Sequence, residues 1–120
     1  RAANAPSMGN AVYSASKGAM LSYAKCLALE LAPRMIRVNS ICPGMVWTDL
    51  ILKDGLSKEE LHKAELTYPL KRFGEVEDVA NLAIYLLSDA SSWMTGTAID
   101  ISGGGEGVLL KNRSKRLWYI

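Results

Sequence analysis

Histidine is almost missing from this 120-residue chain, and the single His62 sits among lysine and glutamate. A histidine-built metal site is therefore not expected, and His62 is read as a solvated helix residue, with no metal assigned. Cysteine is nearly as scarce: Cys26 and Cys42 lie in apolar surroundings and in no CxxC arrangement, which points to free buried thiols rather than a disulfide or metal pair. No run approaches the ~18 uninterrupted apolar residues that cross a bilayer, and no basic segment with an apolar core resembles a secretory signal. The expectation is a cytoplasmic protein with no membrane partner. Repeats and low-complexity tracts are also lacking. What remains is 49% hydrophobic and 22% charged with a net charge of +2, the profile of one soluble globular domain or a piece of one, which excludes disorder and collagen. The chain opens on Arg1 and enters a helical pattern about ten residues later, leaving no room for a preceding strand and suggesting an amputated start.

Residues 1–10 hold Ala, Asn, Pro6, Ser7 and Gly9, a loop composition. From 11 to 32 proline is absent, and Val12, Ala15, Ala19, Met20, Tyr23, Leu27 and Leu31 recur at helical spacing, while Leu21, Ala24, Ala28 and Ala32 fall on another face. With few charges, this helix is expected to be covered on two sides, by a sheet and by another helix or subunit, and to stop at Pro33. A short strand is predicted at 37–41, broken by Cys42, Pro43 and Gly44. A loop and an amphipathic helix follow over 48–66, with Ser57 and Glu60 in capping-box register. A second helix spans 75–87, acidic in its first turn, with Val76, Val79, Ala80, Ala83, Ile84 and Leu87 on its apolar face. A last strand at 97–101 runs into Ser102 and three glycines. Alternating strands and helices argue an α/β arrangement. Two strands alone leave sheet edges unpaired and apolar faces half covered.

The sharpest local feature is Tyr13-Ser14-Ala15-Ser16-Lys17 at the start of the long helix. A separation of four puts phenol and ammonium on one helix face. A cation beside a phenol stabilises the phenolate and lowers its pKa, which would let the pair exchange a proton with a substrate oxygen. On spacing alone, Tyr and Lys four apart in a helix are more often a packed ring with a lysine whose stem lies along it.

Tyr13-Ser-Ala-Ser-Lys17-Gly-Ala resembles the YxxxK(G/A)A segment of the classical short-chain dehydrogenases and reductases. Further segments agree in order and spacing. Arg37-Val-Asn-Ser-Ile-Cys-Pro43-Gly44 is similar to that family's strand and PG turn, with Val46 and Thr48 where the turn continues. Arg72-Phe-Gly74-Glu-Val-Glu77-Asp78-Val79-Ala80 resembles its RxGxxE(D/E)VA helix entry, and Ser88-Asp89 with Thr95-Gly96 its run into the last strand. The resemblance reaches Gly104.

It implies the C-terminal portion of a Rossmann-like, doubly wound parallel sheet over residues 1–107, followed by a basic, aromatic tail at 108–120. It implies an oxidoreductase that moves hydride between NAD or NADP and a small-molecule carbonyl or secondary alcohol, with Tyr13 as general acid/base. Lys17 would lower the Tyr13 pKa and bind the nicotinamide ribose. Pro43, Gly44, Val46 and Thr48 would hold the nicotinamide end. Trp47 and residues 49–66 would form the substrate flap, in which Trp47, Leu50, Ile51, Leu52 and Leu56 either line a site or pack the flap itself. Family members also commonly form homo-oligomers, so the alternative is a non-catalytic assembly fragment.

Equally, the family's TGxxxGxG phosphate loop occurs nowhere in the chain. Gly103-Gly104-Gly105 follows a strand and opens no clear helix, so it is no substitute. Ser7 stands too close to Tyr13 to be the family's catalytic serine. Met35 replaces a common glycine, so the turn after Pro33 is expected to be strained or differently shaped. The tail carries four dispersed charges, too few to imply nucleic-acid binding; a solvated extension, a subunit contact and an anionic contact stay open.

Overall fold

The computed structural model describes residues 11–53 and 55–105. The predicted loop at 1–10, Ser7 and the tail at 108–120 lie outside the described residues. In chain order the elements are helix α1 (Ala11–Leu31), a 3-10 turn (Ala32–Arg34), strand β1 (Ser40–Pro43), helices α2 (Asp49–Lys53), α3 (Lys58–Glu65) and α4 (Val76–Leu87), a second 3-10 turn (Asp89–Ser91) and strand β2 (Ala98–Ile101). The predicted single helix within 48–66 is thus two, separated around Gly55, whose φ of 73° ends helical geometry.

The strands pair with each other. Ser40 N–H donates to Thr97 O (2.8 Å) and Gly44 N–H to Ile101 O (2.9 Å), so the partners advance in the same direction and the pair is parallel. A crossover containing α2, α3 and α4 joins them, as a parallel pair requires.

Contacts divide the chain into two compact units, one running to Cys42 and including Ala80–Asp100, the other taking in Pro43–Val79 and the residues from Ile101. In the first, α1 ends as its sequence predicts. Pro33 sits in the 3-10 turn, and Met35 takes left-handed backbone (φ 60°, ψ 30°) while its N–H bonds Ala32 O. Methionine at that conformation costs about 1–2 kcal/mol relative to glycine, so the expected strain is present. Arg37 ties the strand entry to the end of α4, its guanidinium donating to Leu86 O (2.8 Å), Ser88 O (3.2 Å) and Met94 O (3.1 Å). A cation on the last carbonyls of a helix also answers its dipole. Asn39 works from both ends of its amide, donating to Met94 O and accepting from Thr97 N–H.

Two sequence expectations fail on α1. Of the residues of α1 only Ala28 is buried, whereas Met20 and Tyr23 are 63% and 66% exposed, so the helix is not covered on two sides among the described residues. Cys26, on the same helix, is exposed; it is a free thiol as expected, but not a buried one. The apolar face of α4 behaves alike, with no buried residue and Val76, Ile84 and Leu87 exposed. The physical reason is shared: the apolar faces are there, but the two strands among the described residues offer too little surface to cover them.

The second unit builds its own core from Met45, Ile51, Leu61, Tyr68 and Phe73, with Trp47, Leu56 and Ala64 packed against it. Phe73 is central: its ring meets Trp47 at 5.2 Å and Tyr68 edge-on at 5.5 Å. Ser57 caps α3 by accepting from Glu60 N–H (3.1 Å), which fits the capping register. The flap residues divide accordingly. Ile51 is buried and Trp47 and Leu56 pack on the core, whereas Leu50 and Leu52 stay exposed.

The three glycines after β2 close this unit. A β-carbon on Gly104 would stand 2.9 Å from Pro69 Cγ, and one on Gly105 would enter the Tyr68 ring. They permit close approach of the strand's continuation to the 68–70 segment, where Leu70 N–H also bonds Gly103 O.

Candidate active site

The residues singled out in the sequence occupy two places, the start of α1 and the turn after β1. On α1, Tyr13 and Lys17 are both half-buried, and the Lys17 ammonium lies over the Tyr13 ring, 5.5 Å from its centroid. This is the contact that i, i+4 spacing on a helix dictates, in the range of a cation–π interaction. Ser16 follows the helix rather than the site, its hydroxyl donating to Tyr13 O at 2.7 Å. Ser14 Oγ is a buried atom with no hydrogen-bond partner among the described residues.

The electrostatics correct one expectation. Partial burial pushes the Tyr13 phenol above its ordinary pKa, whereas a lowering by Lys17 was expected. Removing water from around the ring disfavours the charged phenolate, and with the ammonium over the ring face that cost prevails. The phenol thus holds its proton more tightly than a free tyrosine does.

In the turn, Pro43 ends β1 and Gly44, Met45 and Val46 are buried. Gly44 is required by its neighbour, since a β-carbon there would lie 2.9 Å from Ser102 Cβ and 3.0 Å from Ser102 Cα. Val46 forms a parallel bridge with Gly74. Gly74 N–H donates to Met45 O (2.8 Å) and Trp47 N–H to Gly74 O (2.9 Å), so the turn is held like one rung of a sheet. Thr48 precedes α2, the position at which a threonine hydroxyl usually accepts from the helix's first amides. Here Thr48 Oγ1 is buried and has no hydrogen-bond partner among the described residues. A buried hydroxyl left unpaired costs free energy, which a bound polar group would relieve.

Sequence reading placed Arg72, Gly74 and Asp78 only at a helix entry. Their link to the turn escaped it, because a bridge between residues 46 and 74 leaves no local pattern. The spacing of Arg72 and Asp78 was the available signal, and the two form an ion pair at 2.8 Å.

The family model described as enoyl-(acyl carrier protein) reductase matches residues 2–106. The chain belongs to the short-chain dehydrogenase/reductase family. Among its relatives, the Aquifex aeolicus 3-oxoacyl-(acyl-carrier-protein) reductase FabG is 40% identical over 97 residues, covering 81% of this chain and 38% of the relative. Carbonyl reductase (NADPH) 2 of Sus scrofa is 41% identical over 96 residues, covering 80% of this chain and 39% of that protein. A short-chain type dehydrogenase/reductase from Mycobacterium ulcerans superposes with a TM-score of 0.76 at 42% identity, over 86% of this chain and 38% of that one. The α/β architecture is thus a portion of the short-chain dehydrogenase/reductase Rossmann-like fold, and the chain spans well under half the length of these relatives.

Proposed function

We propose that this chain carries the proton-handling and nicotinamide-facing part of an NAD(P)(H)-dependent oxidoreductase acting on a small-molecule carbonyl or secondary alcohol. The carrying observation is the Tyr13–Lys17 contact on α1 within a chain of this family. When bound, the nicotinamide supplies or receives the hydride. Tyr13 Oη gives a proton to the carbonyl oxygen in reduction or takes one from the alcohol in oxidation. Lys17, with its ammonium over the Tyr13 ring, would hold the ribose hydroxyls of a bound nicotinamide cofactor.

The turn fits the nicotinamide end in one testable respect: Thr48 Oγ1 is a buried hydroxyl with no partner among the described residues. Val46 would offer backbone groups beside it, and Pro43 and Gly44 set the course of the chain. The pyrophosphate has no comparable holder, because the glycine-rich loop that would place it on a helix N-terminus is absent from these residues. The 120 residues alone are accordingly proposed to bind neither NADH nor NADPH at micromolar concentration. Fluorescence titration of both against the purified chain tests this, and micromolar binding with ketone-dependent oxidation overturns it.

Joined to a dinucleotide-binding half, Tyr13→Phe should lower turnover by on the order of a thousandfold with little change in melting, since only the proton-bearing oxygen is lost. Lys17→Met should raise the cofactor KM and lower kcat together. Retained turnover in the phenylalanine variant removes the assignment of Tyr13.

The exposed apolar residues of α1 and α4 favour a second reading, a non-catalytic assembly fragment. Its expectation is an oligomer in light scattering, and a monomer with a cooperative melt counts against it.

A further inference from the structure

We infer that Arg72 and Asp78 are positioning residues that hold the 44–48 turn through Gly74, which deepens the functional reading above and rests on its assignment of that turn to the nicotinamide end. Gly74 makes two of the hydrogen bonds that seat the turn, from its N–H to Met45 O and from Trp47 N–H to its own carbonyl. Nothing in Gly74 itself fixes it, because glycine is the residue least restrained by its own backbone. The restraint comes from its flanks. Arg72 Nη1 donates to Phe73 O (2.9 Å) and to Asp78 Oδ2 (2.8 Å), while Nη2 reaches Asp78 Oδ1 (3.3 Å). The same carboxylate accepts from Glu75 N–H at 2.8 Å. One side chain on the first turn of α4 therefore fastens the residues on both sides of Gly74, and the two-pronged guanidinium geometry sets direction as well as distance.

The bridge also leaves little slack. A β-carbon on Gly74 would stand 3.3 Å from Val46 Cγ2, so the two segments are in close contact where they pair. Movement of 72–75 is thereby transmitted to Met45, Val46 and Trp47, and through them to Thr48.

Hydrogen exchange resolved to single amides, on the full 120-residue chain without cofactor, tests this with Arg72→Gln, Asp78→Asn and the conservative Asp78→Glu. The expected result is that Gly74 and Trp47 amides exchange faster by about two- to fivefold in the first two variants, since each breaks the two-pronged ion pair. Asp78→Glu, which keeps the charge, should recover part of the protection. Gly44 N–H, held by Ile101 O, and Gly96 N–H, held by Val38 O, should keep their protection, since neither bond passes through Gly74. Unchanged exchange at Gly74 and Trp47 overturns the inference, and so does equal loss at all four amides, which would mark general destabilisation. Because exchange is read without dinucleotide, such a failure leaves the Tyr13 reading to be judged by turnover of its own variant.

Discussion

The two compact units solve burial in opposite ways. The second, with its longest described helix wholly inside it only eight residues long, encloses Leu61 and Phe73 at 0% and 1% exposure. The first contains the 21-residue α1 and buries one residue of it. Length of helix and strength of core are therefore separate matters. In the second unit, short helices and turns bring aromatic rings from distant positions onto Phe73. In the first, Arg37 and Asn39 bind carbonyls of Leu86, Ser88 and Met94 while large apolar residues remain exposed. The family assignment gives the contrast its meaning, since the chain spans 38% of the Aquifex relative's length. Apolar helix faces belong against a sheet larger than two strands.

The sharpest way to break that contrast is to remove one large side chain from each unit. Phe73→Ala should cost about 3–5 kcal/mol, as truncation of a buried aromatic does when its neighbours cannot collapse into the space. Leu29→Ala, at a position 79% exposed on α1, should stay within about 0.5 kcal/mol. Thermal and urea melts of both variants measure this. Equal losses would show that the first unit buries its apolar surface by association in solution.

A smaller test separates crowding from backbone strain within the second unit. Gly55 and Gly104 share positive φ, 73° and 79°, yet an added β-carbon meets nothing within 4 Å at Gly55 and lies 2.9 Å from Pro69 Cγ at Gly104. Gly55→Ala should therefore cost only the left-handed penalty, about 1–2 kcal/mol. Gly104→Ala should cost more, because the proline ring cannot turn aside as a flexible side chain would. Matching losses in denaturant melts would mean that the 103–105 run shifts freely over Pro69.

How far the sequence foretold these differences depends on the range of the interaction. Helical spacing, Pro33, and the Ser57–Glu60 register place α1 and α3 correctly because each is decided within a few residues. The Tyr13–Lys17 contact was legible for the same reason. Burial was not, because the apolar pattern of α1 states what the helix could cover and not what is present to cover it. The direction of the Tyr13 pKa also depends on water removed by surrounding chain, which spacing cannot report. Gly74's hold on the turn pairs residues 28 positions apart, and only the fold brings them together.

The smallest expected effect concerns acid. Asp78 accepts from Arg72 and from Glu75 N–H, and these bonds hold its carboxyl below the usual aspartate range. A carboxyl whose folded pKa is depressed adds stability that is fully present above its unfolded value, near ~3.9, and is lost as pH falls through the lower folded value. Melting temperature should thus decline below about pH 4 more steeply in the wild-type chain than in Asp78→Asn, which has no proton to gain. The pair is solvent-facing, so the difference should shrink in high salt. The contrast between units enters through the controls: Arg37 binds backbone carbonyls, which do not titrate, so the first unit's network gives no matching acid-side loss. If amides bonded across Val38 and Gly96 lost protection together with those at Gly74 as pH fell, the two units would be melting as one.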